Sequence, residues 1–247
     1  MINKWPILVI NLDRSVDRME QMRLKFPDED LVRIAGVDGR IWQDGDRVSQ
    51  RGRPLWKEGM KKSLQDTGVL GEPSMFPLIP AEVGCALGHK KAWEHIIRNN
   101  IKCAIVLEDD IEPTGLYNGS LQDSLQEQLP MPSDADVVFL TGEDSEQCLV
   151  QTDKKSRLLF GQCNFGYVIT LKGAMTALMA QFPMYMPCDF QWWALAFKGI
   201  GIYIAVSDSG IDKGYAYAVD KSIIKISDLG MVTTMTNSGE KPWRRVS

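Results

Sequence analysis

The segment Ile101–Asp110 constrains the fold of this chain most, because its apolar run stops at three consecutive carboxylates. A short apolar run of this kind is typical of a central strand that is covered on both faces. Ligands of open α/β sheets bind beyond the carboxyl ends of such strands. Alternation would send Glu108 and Asp110 to one side and Asp109 to the other, so that Glu108 and Asp110 could bind one hard cation. The alternative interpretation is a solvated acidic turn leading to Pro113.

Size and composition restrict the class of protein. The chain has 247 residues, of which 44% are hydrophobic and 24% are charged, as in an ordinary globular domain. The formal net charge of -4 provides no basic excess for a nucleic-acid partner. The five cysteines lack a CxxC pair, which favours reduced thiols and a cytoplasmic location over a disulfide framework or a zinc site. No apolar run suits a secretory signal or a membrane span, so any membrane contact is expected to be peripheral.

Strand-like and helix-like segments alternate along the chain without a repeat, which predicts an α/β fold with a mostly parallel sheet. In addition to the strand of the acidic segment, strands are predicted at residues 6–11, 31–37, 136–140, 165–170 and 200–206, and helices at 13–26 (with Ser15 as an early cap), 81–99, 116–129 and 171–182. We expect one domain over residues 1–247, with a loop-rich insertion at about 39–80 that is a functional loop, a lid or disordered. The segment from Asp220 onward is polar, and a flexible tail is expected at about 228–247.

Two arginines near the start of the chain are candidates for binding a diphosphate. Arg14 and Arg18 are four residues apart in the first predicted helix, where free N–H groups would assist. Surface ion pairs with Asp13 and Asp17 explain the same pattern. No GxGxxG or Walker lysine motif is present, which argues against a Rossmann dinucleotide site or a P-loop kinase.

Two further segments contain candidate functional residues. In the predicted helix 81–99, Cys85 and His89 share a face; His89 either packs internally or hydrogen-bonds the phosphate or ribose of a donor. In PMYMPCDFQWWALAF, Asp189 is the one acid among many aromatic residues. An aromatic wall beside a carboxylate suits a sugar site. Asp189 could equally cap a helix that starts at Phe190, with the aromatic residues in the core.

Basic residues are concentrated in the insertion and the tail, namely Arg51, Arg53, Lys57, Lys61 and Lys62, and Arg244 and Arg245 beside Trp243. They could contact an anionic, lipid-linked acceptor at the inner face of the cytoplasmic membrane. A solvated loop explains them equally well.

Five segments, NLDRSVDR, AEVGCALGHKKAW, VLEDDIEP, FGYVIT and PCDF, occur in a fixed order. Together they resemble glycosyltransferase family 25, the lipooligosaccharide and collagen galactosyltransferases, from about Ile7 to about Ile226. The resemblance implies a GT-A-like, Rossmann-type nucleotide-binding fold and a divalent cation, Mn2+ or Mg2+. It also implies inverting transfer of a hexose, most commonly galactose, from a UDP-sugar to a saccharide acceptor such as a lipooligosaccharide or another surface glycan.

The resemblance also implies roles for individual residues. The family's nucleotide-binding and donor-binding positions fall on Asn11, Leu12, Asp13, Arg14, Arg18, His89, Glu108, Asp109, Gly166 and Tyr167. Its metal motif makes Asp110 the direct ligand and Glu108 a second one, and its Pro-x-Asp element makes Asp189 the general base, with Glu143 or Asp144 in reserve. One departure is Gly88, where the family commonly has serine, so a hydroxyl is missing from that turn.

Two other functions fit the same residues. A metal-dependent nucleotidyltransferase could also place acids after a strand, but its glycine-rich phosphate loop is missing. A non-catalytic descendant could bind a nucleotide sugar or a glycan without turnover, because function resides in site geometry rather than in the fold.

Overall fold

The computed structural model describes residues 4–50, 52–72, 77–128, 135–140, 148–151, 157–160, 165–189, 216–218 and 223–227. Its strands are β1 (Ile7–Asn11), β2 (Leu31–Ala35), β3 (Gln43–Val48), β4 (Pro54–Trp56), β5 (Cys103–Glu108), β6 (Ile111–Pro113), β7 (Val137–Phe139), β8 (Cys148–Gln151), β9 (Arg157–Phe160), β10 (Gly166–Thr170), β11 (Ala216–Ala218) and β12 (Ile224–Ile226). Its helices are α1 (Val16–Lys25), α2 (Met60–Asp66), α3 (Pro80–Arg98), α4 (Leu121–Gln128) and α5 (Leu171–Gln181), with a 3-10 helix at Gly39–Trp42.

The centre of the fold is a six-stranded sheet in the order β11-β7-β10-β5-β1-β2. The pairs β1–β2, β1–β5 and β7–β11 are parallel, whereas β10 is antiparallel to both of its neighbours, β5 and β7. The predicted α/β fold with a mostly parallel central sheet is therefore confirmed. The predicted strand at 200–206 lies outside the described residues.

Helices cover both faces of this sheet. On one face, Val9 and Leu107 pack with Met22 of α1 and Leu121 of α4. On the other face, a second cluster is built from the alternate strand residues together with α3 and α5, and it includes Leu8, Ala92, Trp93, Ile96, Val106, Tyr167, Ala174 and Ala177. Residues 104–107 of β5 are all buried, which explains their continuous apolar run.

Residues 39–80 are more ordered than the prediction of a loop, lid or disordered segment. Among the described part of this stretch, β3 and β4 form an antiparallel hairpin, α2 follows, and Trp42 stacks on Trp56 with ring centroids 6.5 Å apart. Leu64 and Leu78 join a third apolar cluster with Val83 and Met184. The sequence of this stretch shows no helical or strand periodicity of apolar residues, because its few apolar side chains pack against distant parts of the chain.

Smaller corrections concern element boundaries. The helix α1 begins at Val16 rather than at Asp13, so that Arg14 precedes it. Ser15 occupies the N-cap position, but its side chain makes no capping hydrogen bond. The helix α4 begins at Leu121 rather than at 116. Within the polar segment from Asp220 onward, β12 pairs with β6. Residues 228–247 lie outside the described part.

The contact between α3 and the loop after β2 is made by backbone. A Cβ atom on Gly84 would lie 2.6 Å from the carbonyl oxygen of Val37, and one on Gly39 would overlap the carbonyl of Pro80. A Cβ atom on Gly88 would lie 2.9 Å from Cγ2 of Ile10. Gly84 and Gly39 thus allow the main chain of α3 to contact the main chain of this loop. Gly88 is a buried residue within α3 and is not part of a turn.

No described helix is long and apolar enough to cross a bilayer.

Candidate functional site

A cavity of about 130 Å³ opens beyond the carboxyl ends of β1, β2 and β5, against the amino-terminal half of α3. Its charged and polar lining comprises Arg14, Arg18, Asp38, Arg40, His89, Glu108, Asp109 and Asp110, and its apolar lining includes Ile10, Leu12 and Val37. Seven of the residues predicted for the site line this cavity: Leu12, Arg14, Arg18, His89, Glu108, Asp109 and Asp110. Their proximity follows from the parallel pairing of β1 with β2 and β5.

Asp109 is held by two fixed donors. Its Oδ2 atom accepts a hydrogen bond from Nδ2 of Asn11 at 2.7 Å, and its Oδ1 atom accepts one from Nη1 of Arg18 at 2.9 Å. Asn11 is buried at the end of β1 and lies behind the cavity wall rather than in the lining. The Asp109 carboxylate is thus charge-paired, and it anchors the turn after β5.

Asp110 has weaker compensation for its charge. The nearest cation is Nη1 of Arg18, at 3.7 Å from its Oδ2 atom. Burial and the charges of Glu108 and Asp109 raise the pKa of Asp110 to about 7, against a smaller lowering by Arg18. Asp109 was expected on the opposite side from Glu108 and Asp110, but all three line the same cavity. The alternation does not extend so far because β5 ends at Glu108 and a turn follows.

The two candidate arginines do not pair with Asp13 or Asp17 as the surface interpretation supposed. Nε of Arg14 donates to Oδ2 of Asp38 at 2.6 Å, and Arg18 binds the acidic turn instead. Burial raises the pKa of Asp38, but hydrogen bonds from Arg14 and Arg40 outweigh it and hold that pKa below its usual value.

Sequence reasoning missed Asp38, Arg40 and Arg33. Asp38 caps the 3-10 helix by accepting from the N–H of Arg40 at 3.1 Å, so an Asx cap before Gly39 was the available signal. Nε of Arg33 donates to Oδ1 of Asn11 at 2.8 Å, and its Nη2 atom pairs with Asp13. The side chain of Asp13 is 82% exposed and outside the cavity lining.

At the wall of the cavity, His89 links the acidic turn to the core. Its Nε2 atom lies 3.2 Å from Oε1 of Glu108, and its Nδ1 atom lies 2.9 Å from the hydroxyl of Tyr167. Nε1 of Trp93 donates to the same hydroxyl at 2.9 Å. Gly166 and Tyr167 therefore lie under the site rather than in its lining, and burial raises the pKa of Tyr167 far above its usual value.

Two thiols lie beside this pair. Sγ of Cys85 is 3.7 Å from Oε1 of Glu108 and 3.9 Å from Sγ of Cys188. The ligand atoms of Cys85, His89 and Glu108 all lie within 4.8 Å of one another, a spacing that could hold a metal ion. Cys85, Cys103 and Cys188 are free thiols.

Asp189, the predicted base, follows this cluster. Its Oδ1 atom accepts from Sγ of Cys188 at 3.4 Å. Burial and the charge of Glu108 raise the pKa of Asp189 to about 6, whereas Cys188 and His89 lower it. Phe190, Trp192, Trp193 and Phe197, the expected aromatic wall, lie outside the described residues, as do Glu143 and Asp144. Cys188 and Asp189 already have helical backbone, so Asp189 does not cap a helix that starts at Phe190.

The carboxylates of the cavity suit a hard cation such as Mn2+ or Mg2+, which prefers oxygen ligands. Both oxygens of Asp109 are taken by Asn11 and Arg18. Within the described part of the chain, Oε2 of Glu108 has no hydrogen-bond donor, and Asp110 has only the distant Arg18. Asp110 and Glu108, the two predicted ligands, are thus the carboxylates that could hold such an ion.

A family model described as glycosyltransferase family 25 (LPS biosynthesis protein) matches residues 4–160. The chain belongs to glycosyltransferase family 25. This match confirms the resemblance to the family, and the matched span contains the whole cavity lining. The segments FGYVIT and PCDF lie beyond the matched span.

Individual relatives are distant. Procollagen galactosyltransferase 1 of Danio rerio is 25% identical over 182 residues, which are 71% of this chain and 28% of the relative. A glycosyltransferase 25 family member of Anopheles gambiae is 25% identical over 187 residues, again 71% of this chain and 28% of the relative. A Bos taurus protein named as a probable inactive glycosyltransferase 25 family member 3 is 24% identical over 181 residues, 71% of this chain and 29% of the relative. The chain thus spans less than a third of the length of these relatives.

Proposed function

We propose that this protein is an inverting glycosyltransferase that moves a hexose from a UDP-sugar to a saccharide acceptor, with galactose as the proposed sugar. The observation that carries the proposal is the cavity at the strand ends, where carboxylates and arginines face each other in a chain of family 25. The names of two relatives, procollagen galactosyltransferases 1 and 2, support galactose as the sugar. A lipooligosaccharide or another surface glycan, reached at the cytoplasmic side, is the acceptor we propose from the family description.

The diphosphate of the donor would bind between the arginines and the carboxylates that line the cavity. Arg14 and Arg18 supply guanidinium groups of the kind that bind phosphate oxygens in pairs. Ile10, Leu12 and Val37 supply an apolar surface of the cavity for the nucleoside. Asp110 and Oε2 of Glu108 would hold Mn2+ or Mg2+, which when bound offsets the charge that develops on the departing UDP.

Asp189 is the proposed general base. Inversion requires a carboxylate that takes the proton of the acceptor hydroxyl while this hydroxyl attacks from the face opposite to UDP. A pKa of about 6 leaves Asp189 mostly ionised near neutral pH yet basic enough to accept that proton. Its neighbour Cys188 lies 3.9 Å from Cys85 of the cavity lining, which supports a base beside the proposed donor site.

A lipid-linked acceptor and peripheral membrane contact remain part of the proposal. Three of the predicted basic residues already have partners: Arg53 pairs with Glu82, Lys57 donates to the carbonyl of Ile41, and Lys62 pairs with Asp66. Lys61 is exposed, and the others lie outside the described residues. Co-sedimentation with vesicles should rise with their anionic lipid content, and a flat response would remove the membrane contact.

Release of UDP from UDP-galactose, measured with manganese and with chelator, tests the proposal. Turnover should require the cation. We expect Asp189→Asn to bind the donor like wild type while turnover falls at least 100-fold, the scale of general-base catalysis. Asp110→Ala should lose manganese-dependent donor binding. Asp123→Asn, an exposed residue of α4, is the matched control. Unchanged turnover in Asp189→Asn, or unchanged manganese-dependent binding in Asp110→Ala, would contradict the respective role.

A non-catalytic nucleotide-sugar binder is the second candidate, because one relative carries the name of a probable inactive family member. Saturable, manganese-dependent binding of a UDP-sugar without any UDP release, with or without acceptor saccharides, would favour this candidate over the transferase.

A further inference from the structure

We propose that Cys85, His89 and Glu108, joined by Cys188, form a binding site for a thiophilic divalent cation of the zinc type. This site shares Glu108 with the proposed site of the donor's hard cation, but its other ligands differ, and it does not rest on the proposed function. Its ligands come from α3, from the end of β5 and from the segment after α5, so one ion would tie three distant parts of the chain together.

The distances between the ligand atoms agree with tetrahedral zinc. Zinc–ligand bonds of about 2.3 Å to sulfur and about 2.0–2.2 Å to nitrogen or oxygen place two sulfurs about 3.8 Å apart, sulfur and oxygen about 3.6 Å apart, and nitrogen and oxygen about 3.4 Å apart. The structure has Cys85 to Cys188 at 3.9 Å, Cys85 to Glu108 at 3.7 Å and His89 to Glu108 at 3.2 Å. The ligand atoms of Cys85, His89 and Glu108 lie within 4.8 Å of one another. Cys188 is at coordination spacing from Cys85, and its side chain would turn toward the ion to complete the tetrahedron.

The kinds of donor atom select the metal. Two thiol sulfurs and one imidazole nitrogen favour zinc over manganese or magnesium, which prefer oxygen-only sites. The i,i+4 spacing places Cys85 and His89 on one face of α3. Glu108 can serve both ions, because its Oε1 atom faces His89 and Cys85 and its Oε2 atom has no described hydrogen-bond donor.

The surroundings of His89 support a metal ligand. A metal-binding histidine normally donates its second ring N–H to a fixed partner, which sets the tautomer. The Tyr167 hydroxyl lies 2.9 Å from Nδ1, and its oxygen can accept the Nδ1–H bond, which leaves the Nε2 lone pair for the ion. Trp93 fixes that hydroxyl in turn through its own hydrogen bond at 2.9 Å.

The cavity gives a metal ion a route to this site, and binding of the ion releases protons from the ligands. His89 is 0% exposed and Cys188 is 3% exposed, whereas Cys85 lines the cavity, so an ion would enter from there. Binding replaces the thiol protons of Cys85 and Cys188 by the metal, and these protons go to solvent. Affinity should therefore fall as the pH falls.

The test uses the whole protein, purified under reducing conditions and without any nucleotide sugar. Elemental analysis should find about one zinc per chain, and the protein loaded with Co2+ should show a near-ultraviolet thiolate-to-cobalt absorption band. Cys188→Ala should lose about half of this band, and the double variant Cys85→Ala/Cys188→Ala should lose all of it. Cys103→Ala is the matched control, because Cys103 begins β5 at the end away from Glu108; its band should equal that of wild type.

Circular dichroism shows whether each variant is folded, and His89→Gln offers a second way to remove a ligand if the double cysteine variant does not fold. A folded wild-type protein without bound zinc and without the cobalt band would overturn the proposal. So would a Cys85–Cys188 disulfide that persists under reduction, or a cobalt band that survives in the double variant. Asp110→Ala should keep its zinc while it loses manganese-dependent donor binding, so a failure of the zinc site is distinguishable from a failure of the proposed function.

Discussion

The hydroxyl of Tyr167 should contribute strongly to stability, because two buried groups depend on it. Nε1 of Trp93 donates to this hydroxyl, and Nδ1 of His89 also hydrogen-bonds it, each at 2.9 Å. All three side chains are 0% exposed, so water cannot replace the hydroxyl. Tyr167→Phe keeps the ring and removes the partner that Trp93 and His89 share.

The size of the effect follows from the two interrupted hydrogen bonds. Leaving a buried donor or acceptor unsatisfied costs about 1–3 kcal/mol, so Tyr167→Phe should lower the free energy of unfolding by about 2–4 kcal/mol. For a chain of this length this corresponds to a fall in Tm of about 5–15 °C. Urea denaturation followed by tryptophan fluorescence should show a lower midpoint with an unchanged m-value.

Tyr117→Phe is the matched control. The Tyr117 hydroxyl is also buried, but no described residue hydrogen-bonds it, and its ring packs edge-on against Phe26 with centroids 5.3 Å apart. Its removal should change the free energy of unfolding by less than about 0.5 kcal/mol or increase it. Equal losses in the two variants would refute the assignment of stability to the Trp93–Tyr167–His89 hydrogen bonds.

Two further predictions concern charge and packing. Because the pKa of Asp110 is raised from 3.8 to about 7 in the folded state, the folded protein holds a proton that the unfolded chain releases; stability from this group is complete below about pH 4 and is lost as the pH rises through about 7. Thermal melts of metal-free Asp110→Asn should therefore show a smaller fall in Tm between pH 4 and pH 7 than wild type, and parallel curves would contradict this. Gly84→Ala should destabilise the protein by about 1–3 kcal/mol, since its Cβ atom would collide with the backbone of Val37 and Gly39, as in an overpacked core. Gly88→Ala should cost less than Gly84→Ala, because its Cβ atom would meet the γ2 methyl group of Ile10 at 2.9 Å rather than backbone and helix propensity gains about 1 kcal/mol; equal costs would contradict this explanation.

The central elements were predictable because their signals are local. The apolar run that ends at Glu108 is β5, and the predicted helix at 81–99 is α3 within one residue at either end. The parallel sheet then brings the ends of β1 and β5 together, which is why most of the predicted site residues line one cavity.

The contacts between these residues were not predictable, because they join residues far apart in the chain. Asn11 and Asp109 are separated by 98 positions, and Cys85 and Cys188 by 103. The cysteine spacing alone argued against a metal site, because Cys85 and Cys188 come close only after α3 and the segment before Asp189 pack together. Asp38 escaped notice because its partner Arg14 lies 24 residues away.

The glycine contacts between α3 and the loop after β2 also limit how the cavity can change. Where backbone meets backbone at Gly84 and Gly39, there is no side chain to exchange, and any larger residue would push the helix away from the sheet. This wall is therefore a fixed reference surface, and homologous chains that keep it can alter their choice of ligand only through the facing side chains, such as Leu12, Arg14 and Arg40. A donor-specificity library should leave the glycines untouched and vary those three positions.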